Sequence, residues 1–414
     1  MQAQIFSRFV LAIVAFLCVT LSGSAQTPPA KCDWTAFERS AAEMRAARDA
    51  AQKISEDQGN TEVPPEAIKQ IQQFKNSLYA ALQSYFRCQP NSAFEARKLE
   101  GDLYARLAIP VPPPPNKQAG NDVDGDGPWT GLYLDDVTIK VETILDARML
   151  IAVVTSFGIP YGSDAELDVF APGEDGKWKP VVNFTSRPYN SIAGAFRGFD
   201  YKISPRDPKG NWFVVATHIN PWPTSCWQSL FIDAVEPSDL GMQDQLFHDQ
   251  QYGYVCDNIP PYLRSVSANG FQIRFSIGSI DESQLSSVSL MNYKIQNDEV
   301  VRVQPVALNA VNFVDEWVRR PWRDAQAWSA PGNLTNLRNR HLKLHGQFGS
   351  DFVAFRSCAI ASTSEVEAAE NAGDGPSQFF LVKKNAGDYT MLRVSDHATQ
   401  SCKGPNRLSF TQDR

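Results

Sequence analysis

Three acidic residues alternate with apolar ones a little before the middle of the chain: Asp164, Glu166 and Asp168, with Ala165, Leu167 and Val169 between and after them. In an extended strand successive side chains point to opposite faces, so the three carboxyls share one face. A carboxylate pair of this kind can supply the acid and the base of glycoside hydrolysis, or hold a cation or a basic partner. The solvated face of an edge strand, where charge discourages aggregation, explains the same pattern and is the expectation adopted.

A second constellation is Asp122, Asp124 and Asp126 followed by Gly127, the first half of a calcium loop, with oxygens at positions one, three and five and a glycine at six. Its second half departs from that pattern, because Thr130 and Tyr133 stand where further ligands belong. Calcium is the one cofactor this loop suggests, with Asp135 and Asp136 as additional carboxylates. A polar, turn-forming linker end is the competing explanation.

His341 and His345 lie four residues apart, a spacing that can place two imidazoles on one metal. The residues between them include no Glu, so the zinc-protease motif is absent, and His397 is the nearest candidate for a third ligand. Ordinary helix placement is expected: His341 falls on the apolar face set by Leu334 and Leu337, and His345 sits at a helix C-terminus, where a cation is favoured.

Aromatic residues recur on two loops, Pro160-Tyr161 and Pro221-Trp222, with Trp227 close behind the second. Rings on the loops of a β scaffold offer rigid apolar area to sugars or peptides, which makes Tyr161, Trp222 and Trp227 candidate ligand-binding residues. Burial of the rings as loop anchors is the alternative. No catalytic residue emerges from motifs: the chain has no Gly-x-Ser-x-Gly, Ser-x-x-Lys, His-Glu-x-x-His or phosphate-binding glycine loop. Asn183 and Asn333 open glycosylation sequons.

The elements that position these residues follow from composition and period. Arg8, the apolar run from Phe9 to Thr20 and the small residues up to Ala25 have the layout of a signal peptide, residues 1–25. The run is shorter than the ~20 residues a membrane span needs, so no transmembrane anchor is expected after processing. The expected location is secreted or periplasmic.

Cys18 leaves with the leader, and six of the seven cysteines remain. In an exported chain an even count suggests bridges, here Cys32 with Cys88, Cys226 with Cys256 and Cys358 with Cys402. The chain has 39 basic and 46 acidic residues, a net charge of −7. No basic cluster stands out, so nucleic acid is excluded as a partner.

Residues 26–108 read as a helical hairpin plus a third helix. Phe37, Ala41 and Met44 line one face of the first segment, and Ile71, Phe74, Leu78 and Leu82 line the second. Ser92 and Glu95 are placed to cap the third. A Pro-rich linker with the Asp/Gly loop occupies 109–127 and is expected to project the hairpin from an all-β antiparallel domain, 128–308.

A strand-loop-strand pattern recurs there about every 60 residues, as in a sandwich or a partial propeller. Pro237 to Tyr254 reads as a polar excursion tied by the central bridge. Residues 309–414 read as a small α+β module. The function expected from the sequence is a non-enzymatic envelope or extracellular binding module for a glycan or protein ligand. The alternative is a secreted hydrolase with Asp164 and Glu166 as acid and base.

Overall fold

A computed structural model describes residues 32, 34–54, 62–92, 95–112, 132–146, 149–160, 162–221, 226–237, 243–254, 262–278, 286–296, 299–303, 310–345, 352–358, 365–370, 377–385 and 388–406. The chain forms an N-terminal helical pair with a third helix, a central antiparallel β region and a C-terminal α+β part.

Helices α1 (Thr35–Ala51) and α2 (Pro65–Cys88) pack as a hairpin whose open end is closed by the Cys32–Cys88 bridge, with Cα atoms 5.4 Å apart. Pro65 fits the first helical turn, where its missing N–H would have had no partner. Helix α3 (Ala96–Leu107) starts later than the Ser92 cap implied: Glu95 holds the cap position and makes no side-chain capping bond.

Strands β1 (Asp135–Ile144), β2 (Leu150–Ile159), β3 (Gly162–Pro172) and β4 (Trp178–Thr185) form an antiparallel meander in sequence order. The helices are not held away from it. Phe74 meets Phe157 and Phe86 meets Phe170 at ring separations of 5.3 and 4.3 Å. The Ile139 amide donates to the Tyr104 hydroxyl, and helices and meander share one buried core. The reason is that both layers present apolar faces, and neither can bury its own without the other.

The second sheet contains β5 (Arg197–Ile203), β6 (Val214–Ile219), β7 (Trp227–Pro237), β8 (Gln243–Tyr254), β9 (Leu263–Ser267), β10 (Gly270–Gly278), β11 (Ser286–Gln296) and β12 (Glu299–Arg302). Its order is β12-β11-β10-β8-β7-β6-β5, with β9 beside β10. The recurring sequence pattern corresponds to hairpins β2–β3, β6–β7 and β10–β11. The first lies in its own sheet, and the last two share one sheet, since β8 joins β10 through Tyr254 and Ser276.

Gly253 is required at that join: a Cβ there would lie 2.2 Å from the Ser276 carbonyl oxygen. The expected excursion from Pro237 to Tyr254 is largely strand β8, paired with β7 along its length. A register shift at Ala234/Val235 and the polar character of both flanks conceal its period in the sequence.

The two sheets stack through Leu167, Val169, Val182, Val214, Ala216 and Val235. Helices α4 (Ala310–Arg319), α5 (Trp322–Ala327) and α6 (Leu334–Leu344) pack on a meander of β13 (Phe352–Ser357), β14 (Glu365–Glu370), β15 (Gln378–Asn385) and β16 (Asp388–Ser395). Cys358 bonds Cys402 beside this sheet. Cys226 is also disulfide-bonded, and its expected partner Cys256 lies outside the described residues.

Candidate functional site

Strand β3 is an interior strand, and its even-numbered face looks at helix α2. Asp164, Glu166 and Asp168 are 0, 2 and 1 % exposed, so the expectation of a solvated edge is overturned. The apolar face of α2 carries a matching cation. Lys75, one turn beyond Ile71 and three residues before Leu78, points its ammonium into the sheet, 2.7 Å from Asp164 and 3.4 Å from Glu166.

Asp164 also accepts from the Ser186 hydroxyl at 2.9 Å, the Tyr189 hydroxyl at 3.1 Å and the Phe196 amide at 2.9 Å. Thr185 donates to Glu166 at 2.5 Å, and Asn183 donates to Asp168 at 2.7 Å. Burial alone would lower the Lys75 pKa, but the two adjoining carboxylates outweigh it and raise it. Burial raises Glu166 against the pull of Lys75. Asp168, which has no cation of its own, is pushed up to about 8 by burial and by the neighbouring Glu166 charge.

A void of about 10 Å3, the space of roughly one water molecule, adjoins Lys75 between Ile68, Ile71, Gln72, Arg187 and Tyr189. The carboxyls themselves are enclosed. Perturbed carboxyl groups at this position are what a buried ionic network produces, and such networks imitate catalytic sites electrostatically.

The face of the second sheet that stacks on the first, marked by Val214 and Ala216, continues along β7 and β8 beyond the stacked region. Cross-strand pairs Trp227–Tyr254, Ser229–Tyr252, Phe231–Gln250 and Asp233–His248 stand in order along β7 and β8. Tyr252 is 67 % exposed, and its ring stacks on Trp227 at 6.1 Å; the Tyr254 ring meets Trp227 edge-on at 5.3 Å. Gln250 donates to Ser229 at 2.6 Å. Asp233 is buried and accepts from His248 Nδ1 and Gln245 Nε2, each at 2.8 Å. His218 is sandwiched between Phe196 at 3.9 Å and Phe231 at 4.9 Å.

No known protein family matches this chain, and no curated protein does. The chemistry has to be read from the residues themselves.

The sequence-derived candidates meet different fates. Trp227 joins the aromatic group on β7 and β8. Tyr161 and Trp222 lie outside the described residues, although the two loops meet, since a Cβ at Gly162 would sit 2.9 Å from Pro221. Asp122, Asp124 and Asp126 also lie outside them.

His341 and His345 stack at 5.3 Å, and their Nε2 and Nδ1 donate to the carbonyls of Arg320 and Val318, fastening α6 to the end of α4. Burial lowers the His341 pKa. Among the described residues no group of three His, Cys, Asp or Glu side chains is placed to hold a metal ion. Both sequon amides are engaged, Asn183 with Asp168 and Asn333 with the Leu392 carbonyl.

A second ionic network joins the second sheet to the C-terminal helices. Arg320 grips Asp249 through two bonds of 3.0 and 2.8 Å and reaches Asp324 at 3.1 Å, while Arg302 pairs with Glu316. Burial would raise Asp249, but Arg320 holds it below the usual carboxylate range. Burial lowers Arg302 to about 10.

Sequence reasoning missed Lys75, Tyr252, Tyr254, Asp233 and His248. A lysine within an apolar helical stripe was a legible signal for the first. The others lie on β7 and β8, whose pairing is interrupted by the register shift, and no motif marks them.

Proposed function

We propose that this chain is an exported, disulfide-stabilised, non-enzymatic binding module whose ligand lies on the β7–β8 face where it runs out beyond the stacked sheets. The observation that carries the reading is the cross-strand group of Trp227, Tyr252 and Tyr254, in which Tyr252 is exposed and the other two rings are half-buried on the sheet rather than folded into a core. Aromatic rings held rigidly by paired strands give contact area at small entropic cost. Cys226 is bonded immediately before Trp227, which ties down the end of β7 that presents the rings.

Export is supported by the leader-like first 25 residues and by the bonded cysteines, which belong to oxidising compartments. Among the described residues no helix is long and apolar enough to cross a membrane. The hydrolase alternative loses support because its acid and base are enclosed and already bonded to Lys75, Thr185, Ser186 and Tyr189.

The test is retention of the purified protein on arrayed glycans and peptides, comparing the wild type with Trp227→Ala/Tyr252→Ala. Retention that disappears in the folded double variant supports the site. Retention unchanged by the double substitution refutes it.

A further inference from the structure

The composition of the exposed face narrows the ligand class. The strip from Trp227 to Asp233 spans about 20 Å at the usual rise per residue. Its four cross-strand rows are ring with ring, hydroxyl with ring, ring with amide, and carboxylate with imidazole. Apolar rings therefore stand beside hydrogen-bonding groups along the strip.

The eight residues include no Lys or Arg, so an anionic ligand would find no counter-charge among them. The single carboxylate, Asp233, is buried and already shared by His248 and Gln245. A wholly apolar ligand would take water from the Ser229 hydroxyl proton, the Gln250 amide oxygen and His248 Nε2, the groups left over after the Ser229–Gln250 and Asp233–His248 bonds, at a cost of roughly 1–3 kcal/mol for each. The main chain of β7 is paired on both sides, with β6 and β8, so recognition there falls to side chains.

From these observations, and resting on the proposed function above, we propose that the ligand is an uncharged glycan chain lying along β7 and β8 from Trp227 to His248. Sugar rings have the same two-sided chemistry as the strip, with C–H faces that stack on aromatic rings and hydroxyl rims that take hydrogen bonds.

Each row then has a role. Trp227, Tyr252 and Tyr254 form the stacking platform at the open end. Ser229 and Gln250 meet hydroxyls in the middle. At the sheltered end Asp233 engages Nδ1 of His248, which is half-exposed, and so leaves its Nε2 available to a ligand hydroxyl. Phe196 and His218 stack behind Phe231 and fix that ring as the second apolar contact.

The experiment is isothermal titration of the full chain with neutral linear β-glucose, β-mannose and β-N-acetylglucosamine oligomers of two and six sugars. A galacturonic acid hexamer and a capped proline-rich decapeptide complete the set. Trp227→Ala and His248→Ala serve as variants, each checked for an unchanged thermal midpoint.

The expected result is binding of at least one neutral hexamer more tightly than its dimer. Trp227→Ala should weaken both at least tenfold, and His248→Ala should remove the advantage of the hexamer while sparing the dimer. Binding of only the uronate or the peptide, lost in Trp227→Ala, would overturn the ligand class and keep the binding face. Binding of any probe that neither variant changes would overturn the face as well, as would no binding of any probe by the folded wild type.

Discussion

Replacing Asp168 by Asn should make the protein more stable at pH 8 and leave it nearly unchanged near pH 4. Asp168 is enclosed beside Glu166, accepts from Asn183 and has its pKa pushed from 3.8 to about 8. The folded state therefore keeps a proton that the unfolded chain has released throughout the interval between those values. Stability must fall as pH rises across this window, by about 1.4 kcal/mol per pH unit for one group. Over the whole interval that amounts to roughly 5 kcal/mol, as an upper limit.

The amide of Asn cannot ionise, and its oxygen can still accept from Asn183, so the substitution removes the pH dependence while keeping the hydrogen bond. The assay is urea unfolding of wild type and Asp168→Asn at half-unit intervals from pH 4 to pH 8.5. The quantity of interest is the difference between the two proteins, in which other titrating groups largely cancel. A difference that grows with pH and favours the variant at pH 8 is the expected outcome. A constant difference, or a variant less stable at pH 8, would refute the claim that Asp168 is buried with its proton.

Lys75→Met should be far more harmful: it leaves Asp164 and Glu166 without their cation, and removal of one partner of a buried ion pair costs about 3–5 kcal/mol, measurable as a lowered urea midpoint at pH 7. Gly253→Ala drives a methyl group into the Ser276 carbonyl and the Phe275 ring, so the β8–β10 join should loosen by about 1–3 kcal/mol, as for an overpacked site; hydrogen exchange at Tyr254 and Ser276 should rise while that of α2 stays unchanged.

The broad architecture was legible where one physical signal acted alone. The apolar stripes of α1 and α2 give helices, and their antiparallel packing brings Cys32 beside Cys88. The charge pattern of β3 was legible as a pattern and misread in its setting, because period two fixes which residues share a face and says nothing about what covers that face. The cover is α2, contributed from the other side of the Pro-rich segment, and its cation stands in a stripe of otherwise apolar residues.

Strand β8 was hidden for a different reason. Its residues His248, Gln250 and Tyr252 are polar or amphipathic, and the register shift opposite Ala234/Val235 breaks the alternation. Strand β14 is similar: Glu365, Glu367 and Glu370 among Val and Ala give it little β-forming character, and it persists because β13 and β15 pair with it on both sides.

The buried network and the exposed face are physically joined. Asp164, held by Lys75 from the helical hairpin, accepts the amide of Phe196 with its other oxygen. Phe196 stacks on His218, and His218 stacks on Phe231 in the middle of the strip. Loss of the Lys75 ammonium removes the partner that holds one Asp164 oxygen in place, and the carboxylate can then turn away from the Phe196 amide. The ring that backs His218 would then be free to shift, and the wall behind Phe231 with it. Trp227 and Tyr252, held by the β7–β8 pairing itself, need no such support. A helix lysine on the far side of the first sheet thereby helps set the shape of one end of the proposed ligand face. This accounts for a costly ionic cluster being kept where an apolar contact between α2 and β3 would have served stability as well.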